Sequence, residues 1–517
     1  MLRPRSPQSS FYGSYLYDRI IPEDHLLRKI NQVVDFSFVN DTVRDCYTPD
    51  FGRPAEDPEF MLRLCLLQYL YGDSDRKVVE NARVNMAYKY FLGLAIDDEV
   101  PDNTTLSLFR AQRLGEQKFR EVFQGIVNQC IDKGLVTGQR QIIDSTHIVA
   151  DMAINSLTGL IKLCRYNVVR SVKKQNPKVA EEMELEEVNF VKQDKYSRKE
   201  DNLQDQIDRA TTLLDDVTGE LKGGRLKASK ELQTHLELLE KAVADRDDNS
   251  TDRLVSPTDP DARMGRKESK RWAGYKGHFI VEEDSEIITA VETTPGNVND
   301  GSELKGLLKQ QEQAFSLTPR EISADRAYDA GANLEYLDFK KITGTIPLTR
   351  KVNHYGGELF SVDDFTYDAE KDELICPAGC IAVRSARAVF HSEKHKKKGR
   401  IFNFGTKQCS VCKLKGKCNV GNKGRSVYIS YYHPLYQQMK EWLNTEEGQA
   451  SNRRRMRIEH KLADLARYCG MRRSRYRGLV RTRIHTLLAA ITSNIKRMVK
   501  LLCGDSVTGP PIKSAAC

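Results

Sequence analysis

Apolar positions recur at helical spacing from residue 57 onward. "DPEFMLRLCLLQYLYG" (57–72) is apolar almost all round, and "SDRKVVENARVNMAYKYFLGL" (74–94) continues the 3.6-residue period. "VPDNTTLSLFRAQRLG" (100–115) opens a further short helix, with Asp102 or Asn103 as its cap. "EQKFREVFQGIVNQCIDKGLV" (116–136) is amphipathic. Residues 1–50 read as mixed, with proline-rich and extended pieces. Residues 1–136 are thus expected to form a helical N-terminal domain.

The period then changes. "QIIDSTHIVAD" (141–151) is β-branched and apolar, a buried strand with Asp144 inside it. Residues 155–255 are rich in Lys, Glu, Asp and Gln with Leu at helical spacing, broken by "KGGR"; they predict a charged, coiled-coil-like helical insertion or a solvated arm. "YKGHFIVEED" and "SEIITAVETTPGN" flank an acidic turn and predict a hairpin. A helix near 301–314 follows, then "REISADRAYDAGANLEYL", a short strand ending at Asp325 with a turn and a helix, then "TGTIPLTRKV" as another strand. Residues 351–432 predict a cysteine-rich β insertion, 433–503 C-terminal helices, and 504–517 a tail. With both insertions removed, strands and helices across 137–154, 256–350 and 433–503 follow the order of an α/β, ribonuclease H-like mixed sheet flanked by helices.

Composition narrows the class. At 517 residues several domains are expected, and 30% of positions are charged. No apolar run approaches the roughly 20 residues of a membrane helix. The N-terminal stretch has no apolar signal core, so export is not expected and the protein is expected to be cytoplasmic. The net charge of +9 is concentrated: between Arg453 and Lys500 stand 15 Lys and Arg against 2 acids, which leaves about −4 for the rest. Arg467, Arg472, Arg473, Arg475, Arg477 and Arg481, with Arg455, suit bidentate contacts to a phosphate backbone. Trp272, in "KRWAGYKGHF", is suited either to packing or to stacking on a base.

Five of the 12 cysteines cluster as "CPAGC" and "CSVCKLKGKC". The C-x3-C and C-x2-C-x5-C spacings suit two knuckles around a tetrahedral Zn²⁺ held by Cys376, Cys409, Cys412 and Cys418, with Cys380 spare and His391 and His395 nearby. Three acids stand out elsewhere. A carboxylate inside an apolar strand, as Asp144 is, needs compensation. Asp325 ends a second strand, or caps a turn. Glu459 lies beside an apolar stripe of Ile458, Leu462, Leu465 and Cys469 on a late basic helix. Brought together, such oxygen donors favour Mg²⁺ or Mn²⁺.

These stretches resemble the DDE transposases of bacterial insertion sequences, of the IS1182-like group within the IS4/IS5-type families. "GRPAEDPEFMLRLCLLQYLYGDSDRKVVENARVNMAYKYFLGL" with "VPDNTTLSLFR" resembles their helical N-terminal domain, which implies DNA binding and assembly. "IIDSTHIVAD" resembles the first-aspartate strand and "SPTDPDARMGRKESKRWAGYKGHFIVEEDSEIITAVETTPGNVND" the middle strands. "SADRAYDAGAN" resembles the second-aspartate turn, and "RRRMRIEHKLADLARYCGMRRSRYRG" the glutamate helix. The resemblance implies a catalytic triad of Asp144, Asp325 and Glu459 holding two divalent ions. It implies cleavage and strand transfer at terminal inverted repeats, and at least a homodimer in the active complex. The related Tyr-x2-Arg-x3-Glu-x6-Lys motif matches only at Arg455 and Glu459; Asn452 and Ala466 replace its tyrosine and lysine, and Arg467 is a candidate for the missing charge. The rival expectation is a transposase-derived DNA-binding regulator without catalysis.

Overall fold

The computed structural model describes residues 11–48, 54–182, 203–245, 251–267, 269–349, 359–368, 370–391, 396–418 and 423–504. The chain forms two compact units. One comprises Met1–Thr137, Asp144–Leu317 and Arg457–Cys517, the other Gly138–Ile143 and Thr318–Met456.

The first unit begins with helices Phe11–Ile20, Leu26–Val33 and Phe38–Thr42, where extended chain was expected. The reason is local: His25 caps the second helix through Leu27 N, and Leu27, Ile30 and Val33 form a buried stripe. The central helix, Pro58–Tyr71, is started by Asp57, whose carboxylate accepts from Glu59 N and Phe60 N, and is stopped by Gly72 at φ +72°. It is buried nearly all round, as its unbroken apolar sequence requires. Asp102, not Asn103, caps the helix Asn103–Leu108. The amphipathic segment forms Gly115–Asp132. Both this helix and Pro58–Tyr71 pack on the C-terminal helix Leu479–Cys503.

Strand β1 (Arg140–Val149) starts in the second unit and finishes in the first. In the first unit, β2 (Arg263–Lys267) pairs antiparallel with β3 (Lys270–Glu282), which pairs antiparallel with β4 (Ile288–Pro295). The end of β1 lies beside β3, where Ala150 N donates to Ala273 O at 3.0 Å. The expected hairpin is therefore present, with β2 as an extra strand. Asn494 docks the C-terminal helix on β4: its Oδ1 accepts from Ile288 N and its Nδ2 donates to Ile288 O, both at 2.8 Å. These two bonds satisfy buried backbone groups that have no strand partner there.

The charged insertion is more than a solvated arm. Helices Leu157–Gln175, Pro177–Glu182, Leu203–Lys222 and Lys230–Ala244 share a core of its own, including Leu160, Ile161, Val168, Leu213, Leu232 and Leu239.

In the second unit, residues 140–142 of β1 run parallel to β5 (Glu321–Ser323), and β5 runs parallel to β6 (Thr343–Thr345) through the crossover helix Gly331–Phe339. The expected strand 343–352, whose last three residues lie outside the described residues, ends at Thr345, ahead of Pro347, which lacks the N–H that a longer ladder needs. Buried Glu321 accepts from Thr345 Oγ1 at 3.0 Å and from Ser451 Oγ, while Trp442 Nε1 donates to Thr345 Oγ1 at 2.8 Å. This network fixes helices His433–Asn444 and Glu446–Arg454 on the strands. The cysteine-bearing region is β-rich as expected. A hairpin of β7 (Thr366–Asp368) and β8 (Glu373–Ile375) accompanies the antiparallel sheet of β9 (Arg384–His391), β10 (Lys396–Asn403) and β11 (Ser426–Ser430). Their shared core contains Phe365, Leu374, Phe402, Phe404, Val427 and Ile429. The whole is the mixed α/β architecture of a ribonuclease H-like core with a helical N-terminal part.

Candidate catalytic carboxylates, thiol cluster and basic surface

Asp144 is half-buried in β1, flanked by buried Ile142, Ile143 and Ile148, and its Oδ1 accepts from Ser145 N at 2.7 Å. Asp325 follows β5 and is also half-buried. It caps the 3₁₀ turn Arg326–Tyr328, with Oδ1 accepting from Ala327 N at 2.9 Å. Within the second unit the parallel register joins Arg140 to Glu321, Gln141 to Ile322 and Ile142 to Ser323. Asp144 stands two residues beyond Ile142, and Asp325 two residues beyond Ser323.

Glu459 lies in the first turn of the helix Arg457–Tyr468 and is exposed. Ile458, Leu462, Leu465 and Cys469 are buried, so the stripe read from the sequence is the packed face. Asp144 and Glu459 belong to the first unit and Asp325 to the second. Among the described residues, no group of three His, Cys, Asp or Glu is arranged to hold a metal ion.

The cysteine thiols form no such group either, but five of them share one cavity. Cys376, Cys380, Cys409, Cys412 and Cys418 line one cavity of about 30 Å³, together with Phe365, Phe404 and Arg425. The loops carrying them are tight. Cys376 N donates to Cys380 O at 2.9 Å and Gly379 N to Cys376 O at 2.8 Å. Leu414 N donates to Cys412 Sγ at 3.4 Å, an amide-to-sulfur contact of the kind that supports a thiolate ligand. The neighbouring Cys376 thiol pushes the Cys380 thiol up; burial does the same to Cys418. A bound cation would displace these protons to solvent and stabilise the thiolates that burial and mutual repulsion disfavour. His391 ends β9, and His395 lies outside the described residues.

The basic residues divide into two kinds. Arg467, Arg472, Arg473, Arg477 and Arg481 are exposed, and Arg455 is half-buried. Arg473 pairs with Asp151 at 2.9 Å and Arg477 Nε donates to Asp151 O at 3.0 Å, so both also pin the end of β1. Arg475 departs from the expected phosphate role: Nη1 donates to Asp73 O at 2.6 Å and the guanidinium lies 5.0 Å from the Tyr69 ring centre. An arginine so engaged holds the helical N-terminal part to the segment after Glu459.

Two aspartates outside the set expected from the sequence position this same segment. Buried Asp259 accepts from Tyr275 OH and from Gly478 N at 3.1 Å, and Asp261 accepts from Leu479 N at 2.9 Å. Burial pushes the Asp259 carboxyl up. The signal was present in "TDPDA", where two acids bracket a proline, the composition of a turn that caps something.

Comparison with known families gives two matches. Residues 15–112 match the family described as Transposase domain (DUF772), and residues 248–495 the family described as Transposase DDE domain. The second match takes in Asp325 and Glu459, while Asp144 lies between the two. The two matches together indicate a DDE transposase of the IS1182-like type, which corrects the IS4/IS5-type placement read from the sequence. No curated protein matches the chain.

Proposed function

Since this chain belongs to the DDE transposases, we propose that it binds the terminal inverted repeats of an IS1182-like insertion sequence and cuts and joins DNA there with Asp144, Asp325 and Glu459. The observation that carries this reading is the matched position of the two aspartates, each two residues past a paired residue of the same parallel ladder. Carboxylates brought together there would repel unless a cation lay between them.

The donor set is all oxygen, which suits Mg²⁺ or Mn²⁺. When bound, a pair of such ions supplies an activated water or 3′-hydroxyl and stabilises the leaving oxygen of an in-line displacement. The protein's own contribution is positional. β1 and β5 fix the two aspartates on backbone rather than on mobile side chains, and the buried face of Arg457–Tyr468 fixes the rotation of Glu459 about its helix. Arg467, Arg472, Arg473, Arg477 and Arg481 hold phosphates, with Arg455 beside them in sequence; Arg475 does not belong to this set. Pairing two DNA ends calls for a homodimer or larger assembly working at the nucleoid.

The test is cleavage of a duplex bearing the element's ends, with Mg²⁺. Asp144→Asn, Asp325→Asn and Glu459→Gln are each expected to abolish cleavage and joining while leaving end binding within about twofold, since one amide for one carboxylate removes a metal ligand and little else. Normal cleavage by any two of the variants would overturn the triad. A wild-type chain that binds ends and never cuts would instead be a DNA-binding regulator.

The thiol cavity is proposed as a structural Zn²⁺ site of Cys376, Cys409, Cys412 and Cys418, with Cys380 lining the same space. Its effect would be to clamp the β7–β8 hairpin to the segment before β11. Metal analysis is expected to find about one Zn²⁺ per chain, as a closed four-thiolate site implies, and Cys412→Ser should lower that content. Metal-free protein with an unchanged melting profile would exclude the site.

A further inference from the structure

The β2–β3 hairpin carries a charge arrangement that folding alone disfavours. Its register sets Arg266 opposite Arg271 and Lys267 opposite Lys270, and all four are exposed. Like charges directly opposite each other on an antiparallel pair repel. Between residues 263 and 281 the sequence holds one acid, Glu268, against Arg263, Arg266, Lys267, Lys270, Arg271 and Lys276. Among the described residues, no acid forms an ion pair with Lys267, Lys270 or Arg271.

Side chains alternate along a strand, so Lys267 and Lys270 share a face with Gly265 and Trp272, while Arg266 and Arg271 take the other. Trp272 lies across Gly265, where a Cβ would come within 2.3 Å of the indole. Its ring centre is 5.1 Å from that of His147 on β1, with the planes 42° apart. His147 keeps an exposed edge while its ring is partly desolvated against its neighbours, and that desolvation, then Arg472, Lys267 and Lys270, pulls its imidazole down. Arg472 reaches this place because its carbonyl accepts from Val149 N at 3.0 Å, next to the end of β1. Cations from two separate stretches of chain, the β2–β3 hairpin and the segment at Arg472, thus converge on one aromatic pair.

We propose that this face, Lys267, Lys270 and Arg472 around His147 and Trp272, is a docking surface for duplex DNA, resting on the reading that the chain acts on DNA. The cations take backbone phosphates, and the anionic strand removes the repulsion that the bare hairpin sustains. The flat indole and imidazole supply an apolar surface for sugar.

The experiment uses the full chain, a duplex of random sequence and a chelator in place of divalent ions, so that neither cleavage nor end recognition enters. Affinity is measured across a range of KCl concentrations. Every phosphate that the protein ceases to neutralise lowers the magnitude of the negative slope of log affinity against log salt by about 0.9, so Lys267→Ala with Lys270→Ala should lower that magnitude by about 1.8. Arg266→Ala with Arg271→Ala, on the opposite face, should lower it less. The lysine variant should melt no lower than the parent, because a like-charge pair has been removed. An unchanged slope in a parent-like, DNA-binding protein would overturn the hairpin surface alone. A parent chain that bound no duplex at low salt would overturn the DNA reading and this surface with it.

Discussion

Arg475 and His485 show how little a side chain's type reveals of its use. Arg475 stands in a run of arginines, yet its guanidinium is bonded to a carbonyl 402 positions earlier. No periodicity in the local sequence could indicate that partner. His485 is fully buried on the C-terminal helix and shares a 2.8 Å hydrogen bond with Tyr69 OH. Burial, then the charge of Arg475, lowers its pKa from 6.5 to about 3. The imidazole is therefore neutral in the fold and free to protonate once unfolded. Between pH 6.5 and about 3 the unfolded chain binds the extra proton, so stability is complete above that window and falls as pH drops through it. At pH 5 the loss from this one group is about 2 kcal/mol. Acid titration of the melting temperature should show a steeper decline in the parent than in His485→Gln, and parallel curves would refute the assignment. Asp144 was the more legible candidate, because an acid within an apolar strand is anomalous whatever surrounds it. No local pattern says how it stands to Asp325 and Glu459, since that depends on packing.

At the scale of elements, legibility followed the strength of the local pattern. The stripe Ile458, Leu462, Leu465 and Cys469 defined a helix and its buried face, and the 275–297 hairpin was marked by two apolar runs about a turn. The short helices before residue 43 were hidden because prolines and charges outweighed a stripe of only three positions, and β6 was overdrawn past Thr345, where it ends ahead of Pro347. Gly274 illustrates a constraint that neither propensity nor periodicity exposes. Its φ is +152°, and a Cβ there would lie 2.2 Å from Ile148 O and 2.6 Å from Ala150 N. Those are backbone atoms and cannot swing aside, so β3 must separate from the end of β1, the strand that carries Asp144. Gly274→Ala is expected to destabilise the fold by about 1–3 kcal/mol, the usual range for forcing extra volume into packed structure. Denaturant unfolding measures it, and a midpoint equal to the parent's would show that the strands do not approach as described.

At the scale of the whole chain, the sequence reads as successive domains because each stretch has its own texture, and texture is a local property. The packing joins residues from both ends. Helix Leu479–Cys503 lies against Pro58–Tyr71 and Gly115–Asp132, Asn494 holds it to β4, and Arg475 and His485 tie it to the first of those N-terminal helices. Leu487, Leu488, Ile491, Ile495 and Met498 on that helix are buried. A piece consisting of residues 1–136 alone would expose the face those side chains cover. Leaving several large apolar groups in water costs about 1.5–3 kcal/mol each, which together is comparable with the whole stability of a domain this size. The helical N-terminal part is therefore expected to need the C-terminal helix. Expressed alone, 1–136 should melt without a sharp cooperative transition, and adding a peptide spanning 479–503 should restore one. A cooperative melt of 1–136 by itself would show that the N-terminal helices form an independent domain, as the sequence texture had suggested.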